Sequence, residues 1–212
     1  MALPEIYRKY RQAAIASYDY TDIAEGTGIV AFLGSQSEQT TNSTYLLTTS
    51  SHFANDMLTS AALSGSVADA KQMDLDFDVV FNQPQNIRGN AYISATVGCA
   101  ARNTGTTTIY FIAKLRKWDG TTETEIASAQ SQNYAVTNAP AVKTLLCRMP
   151  LTATTHFKSG ETLRLTMEIW AANTTGAATL VFYHDPAGRD DGTLGTTETS
   201  KLTAYIPFRL VL

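Results

Sequence analysis

Apolar and polar residues alternate so regularly over five stretches of the chain that a buried face can be assigned residue by residue. Met73, Leu75, Phe77, Val79 and Phe81 share one parity, with Asp74, Asp76 and Asp78 on the other. Ile87, Ala91, Ile93, Ala95, Val97 and Cys99 repeat the pattern, followed by Ile109, Phe111, Ala113 and Leu115. Leu145, Cys147, Met149 and Leu151 continue it, as do Leu163, Leu165, Met167, Ile169 and Ala171. A period of two is that of a pleated strand with one buried and one wet face. The spacing predicts strands over 73–82, 87–100, 107–118, 122–130, 142–151, 162–171, 178–184 and 201–211. In the last of these Leu202, Ala204, Ile206, Phe208 and Leu210 are the inward set. Asn103-Thr104-Gly105, Asp119-Gly120, Lys158-Ser159-Gly160 and Thr174-Thr175-Gly176 read as hairpin turns between them. Strands with no intervening helix predict an all-β fold, a two-sheet antiparallel jelly-roll sandwich. An immunoglobulin-like sandwich is the alternative, weakened by the lack of a Cys–Trp–Cys arrangement.

The segment before residue 73 is less regular. Pro4 suits the first position of a short helix running to about Ala16, with Glu5 at its positive end. Ile6, Tyr10, Ala13 and Ala14 fall on one face of that helix, which is too short to be stable alone and must dock. With Tyr7 and the basic cluster Arg8, Lys9 and Arg11, it is expected to meet a neighbouring subunit or another surface. The solvated face of the helix is the plain alternative for the basic residues. An arm follows, with short strands at Gly28–Leu33 and Tyr45–Thr49 and an irregular connection over Asn55–Ala70. The expected division is residues 1–72, holding helix, arm and short strands, and 73–212, holding the sandwich, in one compact unit. Gly26 and Gly28 are not followed by a helical pattern and do not make a phosphate loop.

Composition narrows the functional classes. Only 17% of the 212 residues are charged, against roughly a quarter in an average globular protein. Short uncharged polar residues take their place, as suits a surface covered by neighbours. A net charge of −3 gives no reason to expect nucleic-acid binding. No stretch approaches the ~20 apolar residues of a membrane span, and Met1-Ala2-Leu3-Pro4 leads straight into Glu5, so no signal peptide is expected. The expectation is synthesis in a cytoplasm. Cys99 and Cys147 both lie on inward parities and read as small buried hydrophobes; a disulfide between them is left open.

Few residues suggest chemistry. Asp74, Asp76 and Asp78 project from one strand face at intervals of roughly 6.6 Å. They read as a solvated face that resists aggregation, as a contact strip for a basic partner, or least well as a calcium site. In the loop His184-Asp185-Pro186-Ala187-Gly188-Arg189-Asp190-Asp191-Gly192, the carboxylates Asp185, Asp190 and Asp191 are calcium candidates or an acid–base pair, against a plain turn. His52, His156 and His184 lack the spacing of zinc ligands, and no Gly-x-Ser-x-Gly occurs. Trp118 and Trp170 fall on outward parities. With Tyr110 or Tyr183 they could stack on a sugar or, as Trp170 suggests better, anchor a protein interface. No catalytic residue and no cofactor is expected.

Leu3-Pro4-Glu5-Ile6-Tyr7, the run Tyr18-Asp19-Tyr20-Thr21-Asp22-Ile23-Ala24-Glu25-Gly26-Thr27-Gly28, Asp74-Leu75-Asp76-Phe77-Asp78 and Phe157-Lys158-Ser159-Gly160-Glu161-Thr162-Leu163-Arg164-Leu165 together resemble auxiliary virion proteins of tailed bacteriophages. The likeness is to the head decoration or cement type built on a jelly roll. It implies a structural protein located in the virion, a minor head or capsid-decorating subunit. Such a protein would bind the major capsid protein or another virion protein as a homo-oligomer, often a trimer, without catalytic residues. A carbohydrate-binding or receptor-binding module is the alternative function, and a hydrolase the second alternative.

Overall fold

The computed structural model describes residues 16–17, 27–36, 44–50, 57–137, 139–184 and 201–209. Among them every regular element is a strand: β1 (Ala16–Ser17), β2 (Thr27–Gln36), β3 (Tyr45–Thr48), β4 (Met57–Thr59), β5 (Leu63–Ser64), β6 (Val67–Val80), β7 (Gln85–Arg102), β8 (Thr107–Trp118), β9 (Glu123–Gln130), β10 (Tyr134–Val136), β11 (Ala141–Phe157), β12 (Thr162–Asn173), β13 (Ala177–Tyr183) and β14 (Thr203–Arg209). The all-β expectation holds. The expected N-terminal helix, with Ile6, Tyr7, Arg8, Tyr10 and Arg11, lies outside the described residues apart from Ala16, which pairs as a strand with Val30.

The strands form one continuous mixed sheet rather than two separate antiparallel ones. Its path runs β10-β8-β12-β6-β3-β2-β14-β7-β13-β4, with β9 also beside β8 and β11 beside β7. Every pairing is antiparallel except β3 with β6, where Tyr45 and Leu46 align with Phe77 and Asp78. That short parallel pairing is what makes one sheet where two were expected. It lets β2 and β3, in the region read as an arm, join a limb made of β6, β12, β8, β9 and β10 to a limb made of β2, β14, β7, β11 and β13.

The inward side chains of both limbs make one core. Phe77 of β6 meets Phe182 of β13 with ring centroids 6.3 Å apart, and Phe81 meets Phe157 at 5.0 Å and Phe208 at 5.8 Å. Leu163, Leu165, Met167 and Ile169 on the central strand β12 are fully buried. Burial of a side chain of this size contributes about 1.5–3 kcal/mol. The alternation read from sequence is therefore the core itself, as Ile93, Ala95, Val97, Phe111, Ala113, Leu115, Leu145 and Met149 are also buried.

The connections depart from the hairpin expectation. Gly105, Gly120, Gly160 and Gly176 all have φ between 75° and 97°, the left-handed region that glycine enters without steric cost. Only Asp119-Gly120 joins two paired strands, β8 and β9. The other three cross from one limb to the other, because β7 pairs with β11, β13 and β14, and β8 with β9, β10 and β12. The crossings meet in pairs. Asn103 N–H donates to the Ala177 carbonyl and Thr106 N–H to Thr174 Oγ1 at one end, while Gly160 N–H donates to the Phe81 carbonyl at the other. The boundary expected at 72/73 falls inside β6.

Candidate functional site

The outward residues of β6, β12, β8 and β9 form a grid of opposite charges, because antiparallel register sets them side by side. Arg164 lies opposite Asp78 on one side and Arg116 on the other. Its Nε and Nη2 donate to the two Asp78 oxygens, each at 2.8 Å, and Nη1 donates to Glu123 at 3.0 Å. Asp76 sits 3.6 Å from the same guanidinium and accepts from the Thr166 hydroxyl. One cation thus serves three carboxylates, and the Asp78 contact, ahead of the others, raises the Arg164 pKa further. Glu123 also pairs with Arg116 at 2.8 Å.

A second cluster centres on Glu168, which is only 4% exposed. Lys114 donates to it at 2.7 Å, Trp170 Nε1 at 3.1 Å, and Lys71 lies at 3.5 Å while bonded to Asp74. Burial acts to raise the Glu168 pKa, but the bonds from Lys114 and Trp170 outweigh it and hold the carboxyl below its ordinary value. Trp170 stacks on Tyr110 with centroids 6.3 Å apart and planes 12° from parallel. Tyr110 donates to Asp69, and burial, with that bond, pushes its hydroxyl up to about 12.

The opposite outer face is built otherwise. β2, β7, β11, β13 and β14 contain no Asp or Glu, while β6, β9 and β12 carry seven. Register across the limb puts Ala31, Tyr205, Tyr92 and Arg148 in one row, and Leu33, Thr203, Ser94 and Leu146 in the next. Tyr92, Tyr205 and Leu146 are 36%, 41% and 51% exposed. Arg148 donates to Asn90 at 3.0 Å, and among the described residues neither it, Arg88 nor Arg209 forms an ion pair with a carboxylate. Aromatic residues and arginine without carboxylates are what protein interfaces are enriched in. Whole-chain net charge concealed this face. Its one sequence signal was the absence of acid from Val79 to Trp118 and from Ile126 to Gly160.

The candidates from sequence separate clearly. Asp74, Asp76, Asp78 and Trp170 come together on the charged face. Ile6, Tyr7, Arg8, Tyr10, Arg11, Asp185, Asp190 and Asp191 lie outside the described residues. The aromatic row imagined for sugar stacking does not form. Tyr183 is 1% exposed, Trp118 lies under Arg164 at 5.9 Å, and Trp170 is covered on one side by Tyr110. Cys99 and Cys147 make no disulfide. Cys147 stands opposite Ile93 and Cys99 opposite Ala141, which sets them about 20 Å apart along the sheet, far beyond bridging distance. Burial pushes the Cys147 thiol up to about 11. Among the described residues no group of three or more His, Cys, Asp or Glu could hold a metal ion, and no helix is long and apolar enough to cross a membrane.

A cleft of about 430 Å³ opens between the β8–β9 turn and the bulge of β11, lined by Lys117, Asp119, Thr124, Glu125, Leu151 and Thr155. Two of its charged groups, Lys117 and Asp119, serve the fold. Lys117 binds Glu161 and the His156 carbonyl, both at 2.7 Å, and Asp119 accepts the N–H groups of Thr121 and Thr122. Those backbone bonds hold the Asp119 carboxyl below its usual range.

No family model matches the chain, and no curated protein does. Among solved structures it is similar to a CocE/NonD family hydrolase from Staphylococcus aureus, at 12% identity and a TM-score of 0.42, over 84% of this chain and 40% of that one. It is also similar to a chain of infectious bursal disease virus, Gx strain, at 12% identity and a TM-score of 0.27, over 92% of this chain and 55% of that one. The chain thus spans about half or less of the length of these proteins. At such TM-scores neither likeness carries fold or function to this chain.

Proposed function

We propose that the chain is a structural virion protein of the head decoration or cement kind found in tailed bacteriophages, with a strand arrangement of jelly-roll type. It attaches to the major capsid protein or another virion protein as a homo-oligomer, a trimer in the reading that follows the resemblance, and is not an enzyme. The single observation that carries the reading is the contrast between the two outer faces. On one, the side chains able to do acid–base work are engaged with each other across strands. On the other, an acid-free sheet surface presents Tyr92, Tyr205, Leu146 and Arg148. That pairing of surfaces suits lasting contact rather than turnover. Connections that cross between limbs, among them those after β7, β11 and β12, support the jelly-roll arrangement, in which successive strands largely alternate between layers. The test is quantitative mass spectrometry of gradient-purified particles from the culture that makes the protein. A fixed copy number per major capsid protein is expected, and absence from particles while the chain is abundant in the lysate would overturn the reading.

A further inference from the structure

We infer that the acid-free face of β2, β14, β7 and β11 docks on the charged outer face of a second copy of this chain. The inference rests on the homo-oligomer reading above and names its two surfaces. Charge complementarity is the first argument. Two guanidiniums, Arg164 and Arg116, answer the three carboxylates Asp76, Asp78 and Glu123, which leaves this part of the charged face with an excess of negative charge. Arg148 and Arg88 lie exposed on the other face with no carboxylate in reach among the described residues. Apolar anchors match as well. Val80 and Leu46 lie outward beside Asp78, 56% and 39% exposed, and would meet Tyr92, Tyr205 and Leu146. Two acid-free faces placed against each other would instead bring the arginines of both copies together with no carboxylate to answer them.

Both surfaces point away from the one core, so each copy offers one of each, and the contact is heterologous. Such contacts close into a ring or run on as a filament. The four-strand face spans roughly 15 Å by 20 Å, well under the ~800 Å² per partner of a standard interface, so the association is expected to be weak.

Sedimentation velocity across a concentration series up to about 0.5 mM at low salt tests this, since contacts between exposed charges weaken once the screening length falls below about 10 Å. Two variants are compared, Tyr205→Ser with Arg148→Glu on the acid-free face, and Val80→Lys with Asp76→Lys on the charged face. Thermal melts first establish that each retains the fold. Wild type is expected to associate and to dissociate on adding salt. Each variant alone is expected to stay monomeric, and the two mixed to give a single heterodimer through their intact surfaces. Association of both variants as strong as wild type overturns the inference while leaving a homo-oligomer standing. Dimerisation of the charged-face variant by itself shows that acid-free faces pair with each other and likewise overturns it. A wild type that stays monomeric throughout removes the homo-oligomer reading itself, and the inference with it. So does a monomer that binds a mixed-sequence single-stranded oligonucleotide through Arg148 and Tyr205, which assigns the face to nucleic acid.

Discussion

Arg164 and Glu168 sit four residues apart on one strand and hold the charged face together by different means. Arg164 is a planar fork answered by both oxygens of Asp78, a geometry lysine cannot copy. Arg164→Ala should lower stability by about 1–2 kcal/mol in urea unfolding, a charge-assisted bond discounted for partial exposure, and Arg164→Lys should recover only part of it. Glu168 is the more buried, and its folded-state pKa lies below the ordinary value. Its contribution is therefore complete above the unfolded value of about 4.3 and disappears as the pH falls through the lower folded value. Glu168→Gln should flatten the acid side of the stability curve, and thermal melts in acid read this directly. An acid limb as steep as that of wild type would count against the assignment. The aspartates of this face were legible in the sequence because they interrupt an apolar alternation. Their partners were not, because Arg164, Lys114 and Lys71 are brought to them by register alone.

Among the elements, the long strands announced themselves and the short ones did not. β8 and β12 follow the inferred spans almost to the residue, since each has a full buried parity that a one-residue slip would expose. β4 and β5 carry three and two residues, too few to show any period, so Asn55–Ala70 read as irregular. The crossings between limbs were hidden for another reason. A glycine at positive φ turns the chain equally well within a sheet or between layers, and only the pairing partners tell which. Gly98 shows what the assembled sheet demands at a single point. It lies in β7 between β11 and β13, and a Cβ there would stand 2.1 Å from the Ala141 carbonyl oxygen and 2.6 Å from Val142 Cα. Both are backbone atoms of the paired strand, so a methyl cannot be accommodated by rotating a side chain. Gly98→Ala should cost about 3 kcal/mol, visible as a lower melting temperature. Gly120→Ala, with open space around it but a φ of 97°, should cost less.

At the scale of the whole molecule, the two limbs are joined by the segment that composition and periodicity described worst. β2 pairs with β14 and β3, and β3 with β6, while Phe32 and Leu47 place this bridge in the common core. The contrast between the outer faces likewise exists only after assembly. Arg148, Tyr92 and Tyr205 come from three strands separated by more than fifty residues at each step, and the sequence showed only that acid was missing nearby. A sandwich confined to residues 73–212 would therefore lack β2 and β3, begin within β6, and leave β14 with an unpaired edge. We expect the 73–212 fragment to show no cooperative thermal transition and to bind a hydrophobic dye, as exposed core surface does. A chain lacking residues 1–15 keeps every described pairing and should melt as one unit close to the full-length temperature. Calorimetry on the two truncations decides the matter. A cooperative transition in the 73–212 fragment would mean that β2 and β3 are an appendage to a self-sufficient sandwich. Its absence, beside a clean single transition in the longer chain, would establish them as the hinge that makes the two limbs one core.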